Sequence, residues 1–401
     1  MMQRRTSRLA LVGAGVFALA LTACAPGANA GGGSESEPSA EANPWFDQAQ
    51  FDLENERRSA QFEGDPAKPY LQYLAGDMVA AADYALDRPG KVCFANASLS
   101  NTWRQTGWIT MNQQLQVLQE QGVVQVMETR DAQDSDDTQV ADIDYFVNEG
   151  DCDGFIISPY SPDATTAAVE RACETGKPVI VFDRAVSTDC VTSFVHSVGG
   201  MAWGIDVGEF IADQLEPGDK VVALRTAAGV DVFESRWAAS QKIFDDAGIE
   251  YVDYLTGADP AEIKKAVTDE IAKGEIDAVW VDLGDQSVPA IEAFEDAGVD
   301  VPIVNGEDNM AYLRAWKERD LNGFGGVYSN FQWRTALLAL TQLWQGQDIP
   351  KDWVVPQTPI TSAELDAVLR VNDEMPDVHS TSFGGEDLPG FPDAWRERII
   401  P

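Results

Sequence analysis

The feature that most constrains this chain is a rhythm in which short apolar runs alternate with longer stretches of helical periodicity, and the alternation goes round twice. In the first round the runs are Val92 to Ala95, Val123 to Met127, Phe155 to Ser158, Pro178 to Phe182 and Thr192 to His196. The helical stretches between them are Thr110 to Gln121, Val140 to Val147 and Thr165 to Thr175. After Gly199-Gly200 a helix to Leu215 restarts the pattern. Strands follow at Val221 to Arg225, Tyr251 to Leu255, Ala278 to Val281, Val301 to Val304 and Gly325 to Tyr328, then a last helix from Trp333 to Trp344. Continuous apolar strands joined by helices are buried on both faces, so each round predicts a parallel sheet covered by helices. The expected fold is α/β, with two doubly wound lobes and a cleft at the carboxyl ends of both sheets.

The ends read differently. Arg4, Arg5 and Arg8 precede an apolar run from Leu9 to Ala23, too short to span a bilayer, which is the pattern of a secretion signal. It ends in Leu21-Thr22-Ala23-Cys24, similar to a bacterial lipobox, so residues 1–23 are expected to be removed and Cys24 to carry lipid. Residues 24–43 are Gly, Ser, Glu, Ala and Pro with little to bury and read as a tether. The expected address is outside the cytoplasm, with the chain held to the membrane by lipid. From Asn43 to Asp87 mixed aromatic and charged residues suggest an extension packed on the first lobe, with a helix from Met78 to Leu86.

Charge excludes one class of partner. The formal net charge is −38, and −41 once the three arginines of the leader are set aside, so the body repels nucleic acid and anionic lipid. Export to an oxidising compartment leaves Cys93, Cys152, Cys173 and Cys190 as an even set with three possible pairings. Their places beside strands and a helix end favour Cys93 with Cys152 and Cys173 with Cys190; buried free thiols are the alternative. The two histidines, His196 and His379, have no zinc-ligand spacing around them. The acidic run from Asp131 to Asp144 lacks the glycine and terminal glutamate of a calcium loop. No metal or cofactor is expected.

Three segments carry a resemblance: Ser98-Leu99-Ser100-Asn101-Thr102-Trp103-Arg104, Asp153-Gly154-Phe155-Ile156-Ile157-Ser158-Pro159, and Lys177-Pro178-Val179-Ile180-Val181-Phe182-Asp183-Arg184. With Ser197-Val198-Gly199-Gly200 as a hinge crossing, the stretch from Lys91 to Leu369 resembles the type 1 periplasmic-binding proteins, in particular the ribose-, galactose- and galactofuranose-type sugar receptors of ABC importers. The resemblance implies three crossings between the lobes, expected near Ser197 to Gly200, Glu307 to Asn309 and Tyr328 to Asn330. One lobe would be residues 44–197 plus 330–351, the other 198–329, with 352–401 a tail packed on the lobes.

A neutral sugar offers hydroxyls and aliphatic faces, so its receptor needs charged groups that bond several hydroxyls and aromatic rings that stack. The resemblance puts Asp183 and Arg184 on ring hydroxyls, and Asn101, Trp103 and Arg104 as polar contact, aromatic lid and arginine. In the second lobe it implies Phe233, Glu234 and Arg236, then Asp282 or Asp285, then Glu307 or Asp308, and Ser329 where ribose receptors have a glutamine. Glu234 departs from the family, whose ribose receptors carry arginine there. His196, at a strand end beside the first crossing, reads as structural. The expected function is a monomeric, non-enzymatic receptor that delivers a pentose, hexose or related polyol to an ABC transporter permease. The alternatives are a sensor for a signalling partner and a secreted glycosidase pairing Asp183 with Glu307, although no spacing supports the last.

Overall fold

The computed structural model describes residues 43–400. The leader, Cys24 and the tether up to residue 42 lie outside the described residues. Helix α1 (Gln48–Arg58) and the short strand β1 (Met78–Val79) precede the first round, which comprises β2 (Gly90–Asn96), α2 (Thr102–Glu120), β3 (Val124–Asp131), α3 (Asp136–Asn148), β4 (Gly154–Ser158), α4 (Pro162–Glu174), β5 (Val179–Phe182) and β6 (Ser193–Ser197). The second round is α5 (Gly200–Ala212), β7 (Lys220–Arg225), α6 (Asp231–Ala247), β8 (Glu250–Leu255), α7 (Pro260–Ile271), β9 (Ala278–Val281), α8 (Ser287–Ala297), β10 (Ile303–Glu307), α9 (Met310–Arg319) and β11 (Gly323–Gly326). Helix α10 (Gln332–Trp344), β12 (Ile349–Pro350), β13 (Asp352–Val355), α11 (Leu365–Val371) and α12 (Asp393–Glu397) follow.

The first sheet has six strands in the order β13-β6-β5-β4-β2-β3, and the second has five in the order β11-β10-β9-β7-β8. Pairing within both is parallel. The central strands are buried throughout, as continuous apolar runs between two helical layers require. Under the first sheet Trp333 of α10 sits against Phe94 and Phe182, with ring centroids 5.8 and 5.1 Å away. Helix α2 approaches so closely that a Cβ on Gly107 would lie 2.2 Å from the Trp333 ring, so position 107 has room only for glycine. In the second lobe Trp203, Trp237 and Trp280 form the corresponding aromatic core. Two disulfides, Cys93–Cys152 and Cys173–Cys190, brace the first lobe with Cα separations of 5.7 and 6.1 Å; this is the favoured pairing, and free thiols are excluded.

Three expectations are corrected. The stretch Met78 to Leu86 is not a helix: β1 pairs antiparallel with β12, and a 3-10 turn at Ala81–Asp83 is capped by the Asp348 carboxylate on the Ala81 N–H at 2.9 Å. The extension is divided between lobes. Its α1 lies on α5, where Arg58 pairs with Asp206 at 2.7 Å and Glu209 at 2.6 Å, and Glu54 Oε2 accepts the Ala202 N–H at 2.8 Å. The third difference concerns the crossings.

Glu307 to Asn309 joins β10 to α9 inside the second lobe and crosses nothing. The third crossing is instead residues 356–360, which lead from β13 at the edge of the first sheet to Ile360, paired with Gly325 of β11. The three crossings are laced side by side. Ser329 N–H donates to Ser197 Oγ at 3.1 Å, and the Gln357 amide exchanges two 3.0 Å bonds with the backbone of Gly199. At Gly199, φ is +152°, and a Cβ would lie 2.1 Å from the Glu54 carboxyl. Beyond α11, which packs on α9, the chain returns to the first lobe, where Trp395 Nε1 donates to Thr110 Oγ1 at 3.1 Å.

Candidate functional site

Between the carboxyl ends of the two sheets lies a cavity of about 120 Å³, lined from the first lobe by Asn101 to Arg104, Asp183 and Arg184 and from the second by Val232, Phe233, Arg236, Leu283, Gly284 and Glu307 to Asn309, with Tyr328 and Ser380. Local structure explains how each charge arrives there. Asn101 caps α2, its Oδ1 accepting the Arg104 N–H at 2.8 Å, so the side chains of the first turn face the strand ends. Arg104 is buried, with one guanidinium nitrogen 2.9 Å from Asp183 Oδ2 and another 3.2 Å from Ser158 Oγ. Burial pushes this guanidinium below its ordinary range, and Asp183 opposes that shift. Asp183 itself has φ +72°, a left-handed turn that an aspartate tolerates and that lifts its carboxylate off the end of β5.

Trp103 is fixed by a 2.9 Å bond from its Nε1 to the Tyr328 carbonyl, and the two rings lie 5.8 Å apart. Arg184 donates to the Tyr160 carbonyl. Across the cleft Arg236 pairs with Glu307 at 2.6 Å, donates to the Asp282 carbonyl at 2.5 Å, and lies over the rings of Trp203, Tyr328 and Phe233 at 4.5, 5.4 and 5.7 Å. The Tyr328 hydroxyl lies 3.4 Å from Asp183 Oδ1, and its pKa is pushed well above the usual value by burial first and Asp183 second.

The cavity thus brings together Asn101, Trp103, Arg104, Asp183, Arg184, Phe233, Arg236, Glu307 and Asp308 of the residues expected from sequence. Other candidates are engaged elsewhere. Glu234 pairs with Arg225 at 2.6 Å and accepts the Gly229 N–H at 2.7 Å, so it fixes the loop ahead of α6 instead of reaching the cleft. Asp282 is fully buried and accepts both the N–H and the hydroxyl of Thr226, at 2.8 and 2.5 Å. Ser329 donates its hydroxyl to the Pro356 carbonyl within the hinge. Asp285 lies in the 3-10 turn Gly284–Gln286, and its side chain is outside the described residues. His196 bonds Asp352 at 2.8 Å, a structural role. Within the acidic run Asp131 accepts the Gln133 N–H, Asp142 pairs with Arg130, and Asp144 pairs with Arg171. Tyr328 and Ser380 are additions. Tyr328 had a signal, an aromatic at a crossing, whereas Ser380 lies in a segment with no periodicity to place it.

Charge within the cleft is balanced, three guanidinium groups against three carboxyls. Burial lifts Asp282, beneath the cleft, and Asp308, in its lining, to about 6, with Glu307 adding to Asp308, and burial lifts Asp206 on α5 to about 6 as well. Unfolded, these acids titrate near 4, so between pH 4 and 6 the folded chain holds protons that the unfolded chain has lost. Stability therefore falls as pH rises through that window. His379 acts oppositely: burial lowers it to about 3, so its contribution grows as pH rises toward its ordinary value of about 6.5. Three acids outweigh one imidazole, and relief of the net charge of −38 adds in their direction. The melting midpoint is expected to be higher at pH 5 than at pH 7.5. A midpoint that rises from pH 5 to pH 7.5 contradicts this balance.

Comparison with known proteins places the geometry. Residues 92–348 match the model of a family described as the periplasmic binding protein domain. A curated relative, the ribose import binding protein of Bacillus subtilis strain 168, is 25% identical over 228 residues, which is 56% of this chain and 74% of that protein. Among solved structures, an ABC transporter solute-binding protein from Thermobispora bispora aligns with TM-score 0.63 and 23% identity over 73% of this chain and 90% of its own. The fructose-binding periplasmic domain of a hybrid two-component system aligns with TM-score 0.59 and 22% identity over 71% of this chain and 94% of its own. These relatives are extracytoplasmic binding proteins rather than enzymes, and this chain belongs to their family, the type 1 periplasmic binding proteins.

Proposed function

We propose that this protein captures one small neutral carbohydrate, a pentose, hexose or related polyol, between its lobes and delivers it to the permease of an ABC importer. The observation that carries the reading is the charge-balanced cavity, where guanidinium and carboxyl groups alternate beside Trp103, Phe233 and Tyr328. Such a lining bonds hydroxyls at both donor and acceptor and covers aliphatic ring faces, while its balance gives a charged ligand no net attraction. Its 120 Å³ is well below the roughly 300–1,000 Å³ of drug-sized sites, which suits a single ring. A thermal-shift screen of pentoses, hexoses, furanoses and polyols tests the reading, because a ligand at 100 times its Kd adds about 2.7 kcal/mol. No shift from any of them, with shifts from amino acids or anions instead, overturns it.

The second reading, a sensor that presents the sugar to a signalling partner, is favoured by the likeness to a periplasmic domain of a two-component system. Recovery of a kinase rather than a permease by in-cell crosslinking distinguishes it. In either case the protein acts as a monomer on the outer face of the membrane, anchored through a lipid on Cys24. Cys24→Ala is expected to release it into the medium. Continued fractionation of Cys24→Ala with membranes after a high-salt wash would remove the anchor from the account.

A further inference from the structure

Ser380 lines the cavity although it belongs to neither round of the repeat and lies past the residues matched to the family, 92–348. Its segment is fixed from both sides. After α11 the chain turns along the start of α9, where the Ala311 N–H donates to Asp377 O at 2.9 Å and the Met310 N–H to His379 O at 3.0 Å. Ser380 pairs antiparallel with Asn309, and the Thr381 N–H donates to Asp308 O at 2.8 Å. On the hinge side, Ser382 O accepts the N–H groups of Asn330 and Phe331 at 3.0 and 3.3 Å. His379 is wholly buried with its ring centroid 4.6 Å from that of Phe383.

Asp308 shows what this arrangement changes. Its place after β10 puts it at the cleft, yet its Oδ2 accepts the Ser382 N–H at 2.6 Å and lies 3.4 Å from the Thr381 hydroxyl. The acid is spent on holding the segment, and the segment in turn supplies the surface that reaches the cavity. We infer that residues 377–382 form a wall of the ligand site and that Ser380 touches the bound sugar, so that the C-terminal segment limits the size of ring the cleft accepts. The inference rests on the sugar-receptor reading. A hydroxyl both donates and accepts, so Ser380 suits a sugar hydroxyl, and a larger side chain there takes volume from a cavity of only about 120 Å³.

Titration calorimetry on the full chain with D-ribose, L-arabinose, D-galactose, D-fructose and myo-inositol tests it, together with amide exchange at residues 377–382. Wild type is expected to bind at least one of these. For that sugar Ser380→Ala should weaken binding about three- to tenfold, as for a lost neutral hydrogen bond, and Ser380→Leu on the order of thirtyfold, as for an overfilled site. Exchange at residues 377–382 should slow when the sugar is added to wild type, a readout that needs no variant to fold. If wild type binds and both variants stay within twofold of it, with exchange unchanged, the wall is overturned while the receptor reading stands. If wild type binds none of the five, both fall together.

Discussion

Asp183→Ala is expected to weaken sugar binding by about 2–4 kcal/mol, roughly 30- to 1,000-fold, because the truncation strips a charged partner both from the ligand and from Arg104. The Arg104 side chain is only 5% exposed and its nearest carboxylate is Asp183 at 2.9 Å, so the change leaves a buried guanidinium uncompensated. Backbone strain is a second effect of the same substitution, since φ at Asp183 is +72° and alanine occupies that region less readily than aspartate. Asp183→Asn separates the two: asparagine tolerates the turn and keeps an acceptor but loses the charge, so its affinity should fall between wild type and Asp183→Ala. Calorimetry showing Asp183→Ala within threefold of wild type removes Asp183 from the site.

The largest effect on stability is expected from the disulfide Cys93–Cys152. It joins positions 59 apart, and in the chain-entropy account closing a loop of that length restricts the unfolded chain by about 4 kcal/mol, against about 3 kcal/mol for the 17-residue separation of Cys173–Cys190. Its sulfurs also lie in the core with Ile143, Phe146 and Ile157, so the double variant Cys93→Ala/Cys152→Ala opens space there as well. Guanidinium unfolding of this variant should show a loss of about 4 kcal/mol or more. A midpoint equal to that of the oxidised wild type would mean that neither the bridge nor the packing of its sulfurs contributes to stability.

The ten expected strands all appear: the central ones are buried on both faces and leave uninterrupted apolar runs, and the helices between the strands leave a second period. What escaped the reading has no period. β13 is four residues, Asp352–Val355, placed after the second round, so nothing local assigns it to the first sheet; with it went the true third crossing at residues 356–360. Helix α1 has a helical pattern but its lobe is decided by Arg58 meeting Asp206 and Glu209, a pairing of residues about 150 positions apart. In the site, Asp183 and Arg184 directly follow β5 and Trp103 lies in the first turn of α2, and it was the resemblance to sugar receptors that pointed to all three. The role of Glu234 was not legible, since only the fold shows that Arg225 stands beside it.

On the proposed reading the two lobes form a clamp that closes on a sugar. Ligand contacts drawn from both lobes bind the closed form more tightly than the open one, and that difference in affinity shifts the population toward closure. Three short crossings laced at Ser197, Gly199, Ser329 and Gln357 are suited to act as the hinge. Small-angle scattering from the full chain, with and without a saturating concentration of the sugar that gives the largest thermal shift, tests this most directly. The radius of gyration should fall on binding, and an identical scattering profile with and without that sugar would contradict the clamp.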